Sequence, residues 1–123
     1  VPVETIDELS GLSIRAGART IRYSIARTTL DDSGLPVYLL DCPEFYGRDS
    51  IYTNDADEHL RFVVLSRAAI EMCQRMGFAP DIFSCHDWHT ALIPLYLIYR
   101  LTRKSGREEE LKAQIRKRNL KSP

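Results

Sequence analysis

Neither an initiator methionine nor a secretory hydrophobic core opens this sequence, which starts Val1-Pro2-Val3-Glu4. It therefore carries no visible targeting address, and the expectation is a segment that begins inside a longer gene product. No apolar run approaches the roughly 20 residues a membrane-spanning helix needs, so no membrane partner is expected. Net charge is absent too: 17 basic residues balance 17 acidic ones, which excludes a globally basic nucleic-acid binder. Cysteine is scarce, with three residues (Cys42, Cys73, Cys85) and no C-x-x-C spacing. That count argues against a zinc ribbon or a disulfide framework and for a reducing, cytoplasmic compartment. The six glycines form neither G-x-G-x-x-G nor G-x-x-x-x-G-K-S/T, so no phosphate-cradling loop is expected. Internal repeats are also lacking.

What is present suits one domain. The chain has 123 residues, 44% hydrophobic and 28% charged, enough for a single buried core. Charge is unevenly placed: Lys104 to Pro123 holds seven basic and three acidic residues, while residues 1–103 hold ten and fourteen. A body over 1–103 and a charged helical or linker tail over 104–123 follow, with Glu108–Lys112 and Leu111–Ile115 spaced for a marginal surface helix.

Within the body, Leu12 and Ile14, then Ile21, Tyr23 and Ile25, alternate with polar or small residues, and Ala16-Gly17-Ala18 can reverse the chain between them. This predicts an edge β-hairpin. Asp31-Asp32-Ser33-Gly34 is a turn by composition. Val37-Tyr38-Leu39-Leu40 reads as a strand covered on both faces, as in a parallel sheet. From Cys42 to Asn54 there is no period, only turn residues and aromatics, the composition of a functional loop. A helix capped by Asp55 or Asp57 is expected next, with Phe62, Leu65, Ala69, Met72, Cys73 and Met76 on one apolar stripe, Gly77 ending it and Pro80 barring its resumption. Asp81 to Cys85 reads as a short buried strand, and about Thr90 to Arg103 as a helix apolar almost all round, with Pro94 near its first turn. The order strand, helix, strand, helix predicts an α/β domain with parallel strands and flanking helices. Two strands cannot cover so apolar a helix, so further strands must come from outside this chain.

In open α/β sheets ligands bind beyond the carboxyl ends of the strands. Two such ends are legible: Asp41 with its aromatic loop, and His86-Asp87-Trp88-His89. An imidazole there can hydrogen-bond a sugar hydroxyl or share a proton near neutral pH, Asp87 can orient it, and an indole can lie on a sugar face. A purely structural reading stands beside this one, with Asp87 or Thr90 capping the helix and Trp88 filling core. Cys85, His86 and His89 do not close a tetrahedral metal site, and no second ligand pair is in sight. A Cys85–His86 nucleophilic dyad fails because adjacent residues on a strand point apart.

The stretch Pro80-Asp81-Ile82-Phe83-Ser84-Cys85-His86-Asp87-Trp88-His89-Thr90-Ala91-Leu92-Ile93-Pro94-Leu95 resembles the strand–HDWH–helix segment of bacterial glycogen synthases and plant starch synthases. Val37 to Arg48, closed by Ile51-Tyr52, resembles that family's strand and aromatic loop. Leu60-Arg61-Phe62 with Ser66-Arg67-Ala68-Ala69 is similar to the helix between them. The resemblance covers roughly residues 6–100 and implies a central part of the first of two Rossmann-like domains that face a cleft. It also implies a reaction, transfer of glucose from ADP-glucose to the non-reducing end of an α-1,4-glucan with retention at the anomeric carbon. On this reading ADP-glucose is a donor substrate, and no cofactor or metal is implied. The partners are that donor, the glucan and the remainder of the synthase chain with its second Rossmann domain. The compartment is the cytoplasm, or the plastid for a plant or algal protein.

Carried over by position, His86 is the expected catalytic residue, against the donor glucose. Asp87, Trp88 and His89 shape its pocket, and Asp57, Tyr46, Arg48 and Tyr52 face the cleft or the acceptor. The family's K-x-G-G-L donor loop and its second domain are not in this sequence, and Ser84 stands where members often have a further His. The isolated segment is therefore expected to be inactive. The alternative from another class is a non-catalytic α/β module that binds a glucan or a protein through its aromatic loop and tail.

Overall fold

The protein is described from a computed structural model, which places residues 2–105; the tail expected to carry the Glu108–Lys112 pair lies outside the described residues. The spine is β3 (Arg19–Leu30), and every strand pairing among the described residues is antiparallel to it. β2 (Leu12–Ala16) pairs with its first half, Ala16 facing Arg19 across a two-residue reversal that Gly17 enters at φ 62°. That conformation costs a glycine little, and it sets the register. Ile14, Ile21, Tyr23 and Ile25 are consequently buried on one face while Arg22 is exposed, the expected period-2 pattern. β1 (Glu4–Thr5) and β4 (Leu35–Asp41) both pair with Ala26 and Arg27, so they flank β3 on opposite edges.

The parallel pair predicted from sequence, Val37–Leu40 with Asp81–Cys85, is not found among the described residues. Residues 31–34, a 3-10 turn closed by Gly34 at φ 70°, join β3 to β4 directly. A connection that short brings the next strand back antiparallel, whereas a parallel pair needs a crossover of about a dozen residues or more. Nor is β4 covered on both faces: Leu39 is exposed. Asp81–Cys85 forms no strand among the described residues, and Ile82 is 84% exposed. It has an apolar sequence without a neighbouring strand to pair with. The molecule remains an α/β arrangement, a small antiparallel sheet packed on helices.

The aperiodic stretch after β4 begins with a turn of helix absent from the sequence reading, α1 (Pro43–Tyr46), with Pro43 at its first position where a missing N–H costs nothing. Cys42 and Phe45 are fully buried here, joining Leu9, Ile14, Ile21, Tyr23, Ile25, Val64 and Ala68 in the core between the sheet and α2 (Glu58–Arg75). Asp57 stands at the N-cap of α2 but its side chain does not cap it. The carboxyl end is a Schellman closure: the Phe78 amide donates to Cys73 O at 2.9 Å, Gly77 N donates to Gln74 O at 3.2 Å, and Gly77 is left-handed at φ 64°.

The single apolar stripe predicted for this helix is also corrected. Val64 and Ala68 face the sheet, while Ser66 and Ile70, roughly 200° around the axis, are buried on the opposite side. Met76 is exposed. Burial on two faces rather than one spreads the apolar positions, so no one period describes them.

α3 (Leu92–Ser105) carries Pro94 in its first turn and buries Ile93, but Leu95, Ile98 and Tyr99 are exposed. Ser66 Oγ lies against His89 O, Phe62 against Trp88, and Gln74 against Arg100, so α2 and α3 run in the same direction. The chain from Phe78 to Asp87 must therefore travel back alongside α2. Its ten residues can reach about 33 Å, and the return needs roughly 20 Å. Among the described residues no helix is long and apolar enough to cross a membrane.

Candidate active site

His86, Asp87, Trp88 and His89 lie where this returning segment meets α3, the last two within a single 3-10 turn (Trp88–Thr90). Asp87 has φ 61° and ψ −175°, a backbone region used almost only by glycine. Its Oδ1 accepts from the Trp88 amide at 2.7 Å, and Thr90 Oγ1 donates to His86 O at 3.0 Å, so the turn is tied at both ends. The His86 ring is exposed, with Nε2 3.4 Å from Ser84 Oγ. Trp88 is 54% exposed and stacks on His89 at 4.3 Å between ring centroids. Phe62 from α2 meets both rings edge-on, at 4.5 and 4.6 Å. Tyr52, from the loop after α1, completes the cluster with its hydroxyl 2.9 Å from His89 Nε2.

A second cluster holds that loop to the sheet and to α2. Asp57 pairs with Arg19 at 3.0 Å and with Arg48 at 3.0 Å, Arg48 also pairs with Asp55 at 3.1 Å, and Arg19 pairs with Glu44. The hydrogen bond from Arg19, then that from Arg48, holds the Asp57 carboxyl below the ordinary carboxylate range. Both guanidiniums lie over the buried Phe45 ring, at 5.3 and 5.2 Å.

Tyr46 is half-buried and turned inward. Its hydroxyl donates to Arg61 O at 2.7 Å, and burial pushes its ionisation upward. The Cys42 thiol, likewise raised by burial, donates to Arg22 O and has no access to the surface. Among the described residues no group of three or more His, Cys, Asp or Glu is placed to hold a metal ion.

The tertiary structure thus joins Tyr52 to Trp88 and His89, and Arg48 to Asp57, but puts Tyr46 beneath the loop and His86 in neither network. Four residues that sequence reasoning did not place in the site matter here. Arg19 and Phe62 bridge elements. Glu58 Oε1 accepts from the Thr53 amide at 2.6 Å. Arg61, only 5% exposed, donates to Ser50 O and Ile51 O while its guanidinium lies 5.8 Å from the Tyr46 ring centre. A cation on the inward side of an otherwise apolar helical face was the one signal that could have found Arg61.

An exposed imidazole and indole thus stand on a strained turn, beside a loop pinned by ion pairs. Residues 2–114 match the model of the starch synthase catalytic domain, and the chain belongs to that family. It is 47% identical over 77 residues to glycogen synthase 1 of Geobacter sulfurreducens, covering 58% of this chain and 15% of that protein. The glycogen synthase of Photobacterium profundum is 44% identical over 72 residues (55% and 14%), and that of Geotalea daltonii 37% over 103 residues (73% and 21%). The chain therefore spans between 14% and 21% of the length of these relatives. No solved structure matches it.

Proposed function

We propose that this chain is part of the first domain of a glucosyltransferase of glycogen or starch synthesis, moving glucose from ADP-glucose to the non-reducing end of an α-1,4-glucan with retention at the anomeric carbon. The observation that carries the reading is Asp87, held at φ 61° in the turn that exposes His86 and Trp88. Such a conformation costs about 1–3 kcal/mol and persists where the surroundings over-determine it, which is characteristic of ligand-handling turns. In this mechanism the bond from the anomeric carbon to the ADP phosphate breaks, a bond to the acceptor oxygen forms on the same face, and the hydroxyl proton passes to the departing ADP phosphate. His86 hydrogen-bonds a hydroxyl of the donor glucose near that carbon, and placement and electrostatics lower the barrier. Asp87 sets the turn, and Trp88 and His89 wall the pocket. Tyr52 fixes His89, while Asp57, Arg48 and Tyr46 hold the loop that borders the acceptor.

The Rossmann-like arrangement belongs to the same proposal. With α2 and α3 running the same way and Asp81–Cys85 lying between them in sequence, a neighbouring strand from the rest of the synthase turns that segment into a parallel strand. The same added layer covers Leu95 and Ile98.

Incorporation of labelled glucose from ADP-glucose into glycogen tests the reading. The parent synthase is expected to be active and the 123-residue chain alone inactive. His86→Ala in the parent should lower kcat by about 100-fold or more, the typical effect of deleting one positioned electrostatic group. A folded His86→Ala enzyme with turnover within threefold of the parent refutes the role of His86.

A further inference from the structure

A cavity lies away from the His86 turn, in the groove between α2 and α3. It measures about 560 Å³, within the range of small-molecule sites. Arg67, Arg100 and Arg103 line it, and among the described residues no carboxylate does. Arg19, Arg48, Arg61 and Arg75 each meet an acidic side chain. Among the described residues the three in the groove meet only neutral acceptors: Arg67 the Arg15 carbonyl, Arg100 the Gln74 side-chain amide, and Arg103 the Tyr99 hydroxyl at 3.1 Å. Glu71, a neighbour on α2, is committed to Arg75 at 3.0 Å.

Each guanidinium has five N–H donors, so one neutral acceptor leaves several unspent. Three of them around one cavity, with no carboxylate among its described lining residues, give a positive focus that favours an anion with several acceptor oxygens. A phosphate monoester has that form, with three oxygens and close to two charges at neutral pH. A bare phosphate leaves most of the volume unfilled. Besides Gln74, the remaining wall is Tyr96, Tyr99 and Ile70, aromatic and aliphatic surface suited to the less polar face of a sugar ring.

The geometry points to the α2–α3 groove as a binding site for a sugar phosphate monoester. The proposal does not depend on the transfer reaction, because it is read as binding by the chain itself.

Isothermal titration calorimetry of the 123-residue chain at low ionic strength tests it, with glucose 1-phosphate, glucose and inorganic phosphate as separate titrants. Glucose 1-phosphate should bind saturably with a Kd of about 1 mM or tighter, inorganic phosphate more weakly, and glucose not at all. Arg67→Gln and Arg100→Gln should each weaken glucose 1-phosphate about tenfold, while Arg27→Gln, exposed on β3 away from the groove, leaves it unchanged. Arg100→Lys keeps the charge but loses the fork and should fall between; circular dichroism confirms that each variant is folded. Absence of saturation at about 10 mM, or variants that bind as the parent chain does, overturns the site. Inorganic phosphate binding as tightly as the ester overturns the sugar-phosphate assignment.

Discussion

Replacing Arg61 with Met separates the stability of the loop over residues 48–55 from that of the domain. The aliphatic stem of Arg61 packs in α2 beside Val64, and Met keeps that volume. What is lost is the guanidinium that donates to Ser50 O and Ile51 O and stacks on Tyr46. Hydrogen bonds from a charged donor are worth about 1.5–3 kcal/mol net. Against this, Arg61 Nε is buried without a partner among the described residues, so removing the charge also relieves a desolvation cost. Global stability should thus change little while the loop opens more often. Hydrogen exchange at the Thr53 amide, which donates to Glu58 Oε1, reads that opening, and should accelerate by about ten- to 150-fold. Amides of β3, opposite β2, should exchange as before. Unchanged protection at Thr53, or equal acceleration in β3, refutes the assignment of Arg61 as the clamp of this loop.

The remaining predictions concern single positions. Asp87→Gly relieves a left-handed backbone but loses the Oδ1 bond to the Trp88 amide, so stability should stay level or rise by about 1 kcal/mol while transfer by the parent synthase falls; a clear loss of stability would falsify the strain argument. Gly77→Ala should destabilise by about 1 kcal/mol through its φ of 64° alone, since an added Cβ meets nothing within 4 Å; a raised melting temperature contradicts this. Because the folded Asp57 carboxyl lies below its ordinary range, its contribution is complete above about pH 4 and disappears as pH falls through the depressed value. The difference in melting temperature between the parent chain and Asp57→Asn should therefore shrink on going from neutral to strongly acidic solution; a gap that persists in acid sinks this assignment.

The hairpin, the 31–34 turn, α2 with its Gly77 closure and the start of α3 were legible because each is set within a few residues, by side-chain period, by turn composition and by glycine at positive φ. The cluster His86-Asp87-Trp88-His89 was legible as a contiguous word. Its partner Tyr52 was named as a separate residue, but nothing local says that it meets His89, 37 positions away. The junction of Arg19 with Asp57, 38 positions apart, was hidden for the same reason.

By itself, then, the sequence determined most local elements, the family and the four-residue word His86-Asp87-Trp88-His89, since backbone preferences and short motifs act between neighbours. Tertiary structure alone decided that β4 returns antiparallel, that α2 is buried on two sides, that Arg61 clamps the loop and that three arginines share a groove. Those outcomes depend on which surfaces exclude water together, and residues distant along the chain settle that only once they are packed.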